Sequence, residues 1–118
     1  MMAAGTLDLL IEQGATWVQP ITYQSANGTA INLTGSLLRM QARDSYSANT
    51  TVISLSTATG GITVTSATNG TFALSLSAGD TANLTPGTYA YDLERVTPDA
   101  TVTRLLEGSI TVSPEVTR

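Results

Sequence analysis

No histidine, cysteine or lysine occurs in this chain of 118 residues. Without His and Cys it lacks the usual general base near neutral pH, the soft metal ligands and the most nucleophilic side chain. Without Lys there is no Schiff-base amine and no ammonium to grip phosphate. Only 12% of residues are charged, about half the usual ~25%. The net charge of −4 comes with five basic residues, all arginine. No basic stripe can form to displace counterions, so nucleic acid is not an expected partner. No apolar run approaches the ~20 residues of a membrane helix, so no membrane is expected either. The opening Met1-Met2-Ala3-Ala4-Gly5-Thr6-Leu7-Asp8 has no basic start or long apolar stretch and does not read as a signal peptide.

What is present is Thr, Ser, Ala, Gly and Leu in alternating runs. The length fits one domain, residues 1–118, with a core that needs neither metal nor disulfide. Leu7 to Gln13 reads as a first strand and Ala15 to Tyr23 as a second, with Trp17 its largest residue. Pro20 inside the second implies a sheet edge or a bulge. Asn27-Gly28 and Asn69-Gly70 are hairpin-turn signals. Leu38, Met40 and Ala42 alternate with Arg39, Gln41 and Arg43, giving one buried and one polar face. Strands follow over Thr51–Ser56, from Ile62, and through Phe72, Leu74 and Leu76. Ser77–Leu84 reads as a crossing segment with one helical turn. Thr88–Val96 turns Tyr89, Tyr91 and Leu93 inward. Thr101–Ser113 is a last long strand, with a bulge expected at Gly108 and a tail over Pro114–Arg118. Seven to nine short antiparallel strands with frequent turns predict an all-β sandwich, a small barrel being the alternative.

The candidate chemistry is thin. Asp92 and Glu94 share a strand face, but residues i and i+2 on an open face make a solvated pair, with Arg95 and Arg104 as expected partners. Glycoside hydrolysis needs two carboxyls about 5–9.5 Å apart across a cleft. Asp44, Asp80 and Asp99 fall in loops without the spacing of a calcium loop. The many Ser and Thr have no His to activate them. No catalytic, metal or cofactor residue is therefore assigned, and no hydrolytic or transfer activity is expected. Five Asn-x-Thr triplets in a chain with 21 Thr are compositional coincidence. Trp17 fits either the core or an interface. Arg39, Arg43 and Arg118 are the candidate interface residues, because Arg makes planar bidentate contacts and is favoured in interfaces. Met1–Leu10 and Pro114–Arg118 are expected to contact neighbouring subunits, with open strand edges accepting a partner's extended segment.

Leu84-Thr85-Pro86-Gly87-Thr88-Tyr89-Ala90-Tyr91 has the pattern of a tyrosine corner. In immunoglobulin-like sandwiches such a Tyr turns its hydroxyl back onto upstream backbone. Tyr89 would be the corner and Tyr91 a core residue two positions on. Asp8-Leu9-Leu10-Ile11-Glu12-Gln13-Gly14-Ala15-Thr16-Trp17, then Asn27-Gly28-Thr29-Ala30-Ile31-Asn32-Leu33-Thr34-Gly35, then Leu38–Arg43, Gly70–Leu74 and Gly87–Leu93 follow in order. In that order they resemble the immunoglobulin-like domains of tailed-bacteriophage tails and baseplates, of the kind at the N-terminus of baseplate upper proteins and in small tail-fibre-associated proteins. The resemblance implies a non-catalytic virion structural protein that connects or adapts tail and fibre components. It would be made in the bacterial host cytoplasm, take other virion proteins as partners in several copies and use no cofactor. Two other readings stay open at this point: a capsid decoration protein and a small carbohydrate-binding module. The last would need exposed aromatics, and the chain has six, three of them (Phe72, Tyr89, Tyr91) wanted by the core.

Overall fold

A computed structural model describes residues 5–25 and 27–117. Nine strands and one short helix form two packed sheets. In the larger sheet, β1 (Gly5–Thr6) and β2 (Leu9–Glu12) both run parallel to the last strand, β9 (Val102–Ser113). β9 pairs antiparallel with β8 (Gly87–Val96), β8 with β4 (Leu37–Arg43), and β4 with β5 (Ile53–Ser56). In the smaller sheet β7 (Thr71–Leu76) lies between β3 (Trp17–Thr22) and β6 (Ile62–Ser66). The chain passes between sheets after β2, β3, β5 and β7, and its start adds in parallel to its last strand. This is the wiring of an immunoglobulin-like sandwich. The sheets stay separate, so the barrel alternative is discarded.

The alternation that marked the strands in the sequence is the alternation of the pleat. Leu38, Met40 and Ala42 of β4 are buried, as are Tyr91 and Leu93 of β8. Across the core they face Trp17, Ile21, Phe72 and Leu74 of the smaller sheet, all buried. Trp17 is thus a core residue. β3 pairs only with β7, so Pro20 lies on an edge. The odd-numbered residues of β3 bond to β7, in phase with the Tyr23 N–H that donates to the Gly70 carbonyl at 2.8 Å. Pro20 therefore turns its missing N–H away from the sheet.

Two local expectations need correction. The first strand is not continuous over Leu7–Gln13; it breaks at Leu7–Asp8 into β1 and β2. The Leu7 carbonyl leaves the ladder to accept the Tyr91 hydroxyl. Asp8 Oδ1 accepts the Ser109 N–H and hydroxyl, both at 3.1 Å. The second correction concerns Gly108. The bulge of β9 lies at Leu105, between the pairs Leu93–Leu106 and Glu94–Arg104. Gly108 pairs regularly with Tyr91. A Cβ there would sit 2.4 Å from the Leu7 carbonyl oxygen, so the glycine is what lets the broken N-terminal strand come close.

The crossing segment contains α1 (Ala78–Ala82). Ser77 caps it, its hydroxyl accepting the Asp80 N–H at 3.1 Å. Thr81, fully buried, donates to the Ala15 carbonyl at 2.8 Å and accepts the Gly14 N–H at 3.1 Å. One hydroxyl thus fastens α1 to the turn between β2 and β3. Just beyond, the buried Tyr89 donates its hydroxyl to the Thr85 carbonyl, closing the corner before β8. Tyr89→Phe is expected to lower unfolding stability by about 1 kcal/mol, the net worth of one such bond. Urea melts of the two proteins measure it, and an unchanged midpoint would remove the corner from the account.

Candidate interaction surface

The outward face of the larger sheet carries most of the sheet's charge. β4 contributes Arg39, Gln41 and Arg43; β8 contributes Asp92 and Glu94; β9 contributes Arg104 and Glu107. Cross-strand register brings Arg39 opposite Glu94, and their ion pair is 2.9 Å. Arg104 reaches Asp92 at 3.5 Å and Glu107 at 3.4 Å. Arg43 bonds inward along the surface, to the Ala48 carbonyl and to Gln41 Oε1, both at 3.0 Å. It closes the loop over residues 44–50. Arg95 does not partner Asp92 or Glu94 as expected. It leaves that face near the end of β8 and donates to Ser36 Oγ and the Asn32 carbonyl, both at 2.9 Å. The strand pleat is the reason, since neighbouring residues point to opposite faces.

Of the three arginines put forward as interface residues, Arg39 and Arg43 thus lie on one face with their groups already engaged within the domain. Arg118 lies outside the described residues, as do Met1–Ala4. The described part of the N-terminal segment docks on its own domain through β1 and β2. Near the other end, the Glu115 N–H donates to Gln13 Oε1 at 3.0 Å while Gln13 Nε2 donates to the Leu84 carbonyl at 2.8 Å. One glutamine therefore ties the C-terminal segment to the approach to β8. The solvent-exposed ion pairs carry little stability individually. They neutralise the face and leave it without a strong field of one sign.

Burial of Asp92, with Glu94 beside it, pushes its carboxyl above the usual range, and Arg104 offsets this only in part. In the turn before β9, hydrogen bonds from Thr97 and Thr101 hold the Asp99 carboxyl below the usual range. The raised Asp92 group has a definite sign in stability. The folded protein holds that proton more tightly than the unfolded chain, so the group favours folding at low pH. That contribution is lost as pH rises from the unfolded value through the raised folded one. Asp92→Asn should therefore match or slightly exceed the parent at pH 7, by less than about 1 kcal/mol given solvent screening. The comparison should turn in the parent's favour at pH 3. Urea melts at the two pH values check it, and a parent that gains on the variant between pH 3 and 7 would reverse the assignment.

Among the described residues no three His, Cys, Asp or Glu gather to hold a metal ion. Asp44, Asp80 and Asp99 stand in three separate parts of the fold. No described helix is long and apolar enough to cross a membrane. Of the six aromatics, Trp17, Phe72, Tyr89 and Tyr91 are buried, Tyr23 is half-buried against the core, and Tyr46, at 77% exposure, stands alone in the loop after β4. A single exposed ring makes no stacking platform for a sugar chain. Compared with known protein families and with curated proteins, the sequence matches none.

Two features of the fold were not foreseen from the sequence. Thr81 gives no signal there, because one buried hydroxyl among 21 threonines is marked only by what it touches. The other is a groove of about 740 Å³ beside the β5 edge of the larger sheet. It runs between the start of β5, the end of β7 and α1. The signal for it is the short β5, which stops well before the length of its partner β4.

Proposed function

We propose that this domain is a non-catalytic structural component of a phage virion, a connector or adaptor in the tail or baseplate. The observation that carries the reading is the ordered series of segments that resembles the phage domains, Asp8–Trp17 through Gly87–Leu93, all but one of which reach a strand of the framework; the segment around Gly28–Gly35 lies in the connection from β3 to β4. The first forms β2, the turn and the start of β3; the last forms most of β8, including the corner Tyr89. Two further features support it. The outward charges are neutralised within the domain, which suits packing against protein. The larger sheet ends in β5, an edge that suits strand addition by a neighbour. Such an adaptor works by holding surfaces together, with stable contacts burying at least ~1,000 Å² in total.

The experiment is localisation in purified particles. An antibody raised against this chain should label tails or baseplates in negatively stained virions, and the chain should co-purify with tails after capsids are separated. Label on the capsid shell would make it a decoration protein. Particles that lack the chain altogether would end the virion reading. A carbohydrate-binding module is disfavoured by the solitary Tyr46.

A further inference from the structure

Two sheets present four edges, and three of them are blunted. The β1–β2 edge is broken at Leu7–Asp8 into pieces of two and four residues. The β3 edge carries Pro20 with its missing N–H turned outward. The β6 edge is interrupted by a register shift between Val64 and Ser66. These are the devices by which sheet edges avoid pairing with other chains. β5 is as short as β2 and its own chain covers it at Ser56, but its sequence, Ile-Ser-Leu-Ser, has no proline, no charge and no register shift, and Ser54 is left uncovered.

Backbone direction along β5 can be read from its neighbours. The Ser56 N–H donates to the Gly60 carbonyl at 3.0 Å and the Gly60 N–H donates back at 2.9 Å, so Ser56 faces away from β4. Alternation puts the N–H and carbonyl of Ser54 on that same outward side. Ser54 is exposed. Its outward groups open onto the groove between β5, the end of β7 and α1. Within this mostly polar groove, Val52, Leu76 and Leu84 pack against the core but remain half-buried. The one charged side chain among the lining residues is the exposed Asp80 of α1. The groove thus has the outward N–H and carbonyl of Ser54 on one wall, Thr59–Gly61 of the same chain at its end, the half-buried Val52, Leu76 and Leu84 beneath, and one negative charge on the other wall.

We infer that β5 is the edge at which a partner protein's extended segment adds as a further strand, with apolar side chains set on Val52, Leu76 and Leu84 and a basic residue set against Asp80. An extended chain laid along the edge would satisfy the N–H and carbonyl of Ser54 together. The basic residue follows from charge complementarity, with Asp80 as the local charge and −4 as the net charge of the chain. The inference deepens the connector reading and rests on it only for the source of the segment.

The probe is a blocked nine-residue peptide of alternating Thr and Val with one Arg, titrated into the full-length protein and followed by amide NMR. Saturable shift changes should cluster on residues 52–55 and 75–84, and exchange of the Ser54 amide should slow at least about tenfold. Ser54→Pro removes the outward donor and leaves the bonds to β4 in place; it should weaken the peptide about tenfold. Asp80→Arg, an exposed change, should weaken it similarly, and a peptide with Glu in place of Arg should regain affinity for that variant. No binding, shifts confined to β2 and β3, or indifference to both substitutions would each overturn the inference. Peptide binding at β5 by a chain absent from particles would end the connector reading and leave the edge site standing. A chain present in particles that binds no peptide at β5 would do the opposite.

Discussion

Gly70→Ala is expected to cost about 3 kcal/mol or more of unfolding stability. Gly70 is buried in the turn between β6 and β7, with φ near +70°. A Cβ there would lie 2.5 Å from the Tyr23 carbonyl oxygen and 2.7 Å from that of Ile31. Both oxygens belong to backbone and cannot rotate aside. The Tyr23 carbonyl is already held by the Ile31 N–H at 3.2 Å, and the Gly70 carbonyl by the Tyr23 N–H at 2.8 Å. Any shift that admits the methyl pulls on those bonds. Gly28→Ala is the control. Its φ is near +84° but nothing lies within 4 Å of the added carbon, so only the conformational cost of about 1 kcal/mol applies. Chemical denaturation of the two variants decides the matter, and equal losses would mean that the turn at Gly70 relaxes freely.

Tyr91→Ala is expected to lower stability by roughly 4 kcal/mol, in the range of large aromatic truncations. The ring is fully buried between the sheets, and its hydroxyl donates to the Leu7 carbonyl. Tyr91→Phe keeps the ring and leaves that carbonyl without its donor, at about 1–3 kcal/mol. The loss should be felt at the N-terminal strands first, as faster amide exchange in β2 than in β4. Burial, with Asp8 nearby, pushes the phenol up to about 12 from its usual 10. The folded state therefore keeps its proton through a range in which the unfolded chain gives it up. Stability from this group is complete below about pH 10 and is lost as pH rises from there through 12. The parent should weaken over that window more than Tyr91→Phe does. A variant with the same alkaline decline as the parent would detach Tyr91 from it.

The strands were legible wherever one face is buried. Leu38-Arg39-Met40-Gln41-Ala42-Arg43 and Tyr89-Ala90-Tyr91-Asp92-Leu93 alternate because a pleated strand on a core must alternate. Pro20 announced an edge, because a central strand has no use for a residue without an N–H. Leu84–Tyr91 announced a corner, since the turn and the tyrosine are close in sequence and their bond is local. The absence of His, Cys and Lys left little chemistry to assign.

Contacts between distant residues were not legible. Gly108 read as a bulge because a strand glycine often marks one, whereas its neighbour in space, Leu7, is far away in sequence. Arg95 read as a partner for nearby carboxylates and instead reaches Ser36 and Asn32, because the pleat turns it to the other face. Asn27-Gly28 and Asn69-Gly70 read alike, both being turns with a glycine at positive φ. Only the folded chain separates them, since one turn stands in open space and the other is packed beneath the Tyr23 and Ile31 backbone. Local pattern sets which residues face inward, through the period of the strand. Which backbone atoms then meet across the sandwich, and which edge is left open, depends on how two sheets far apart in sequence settle against one core.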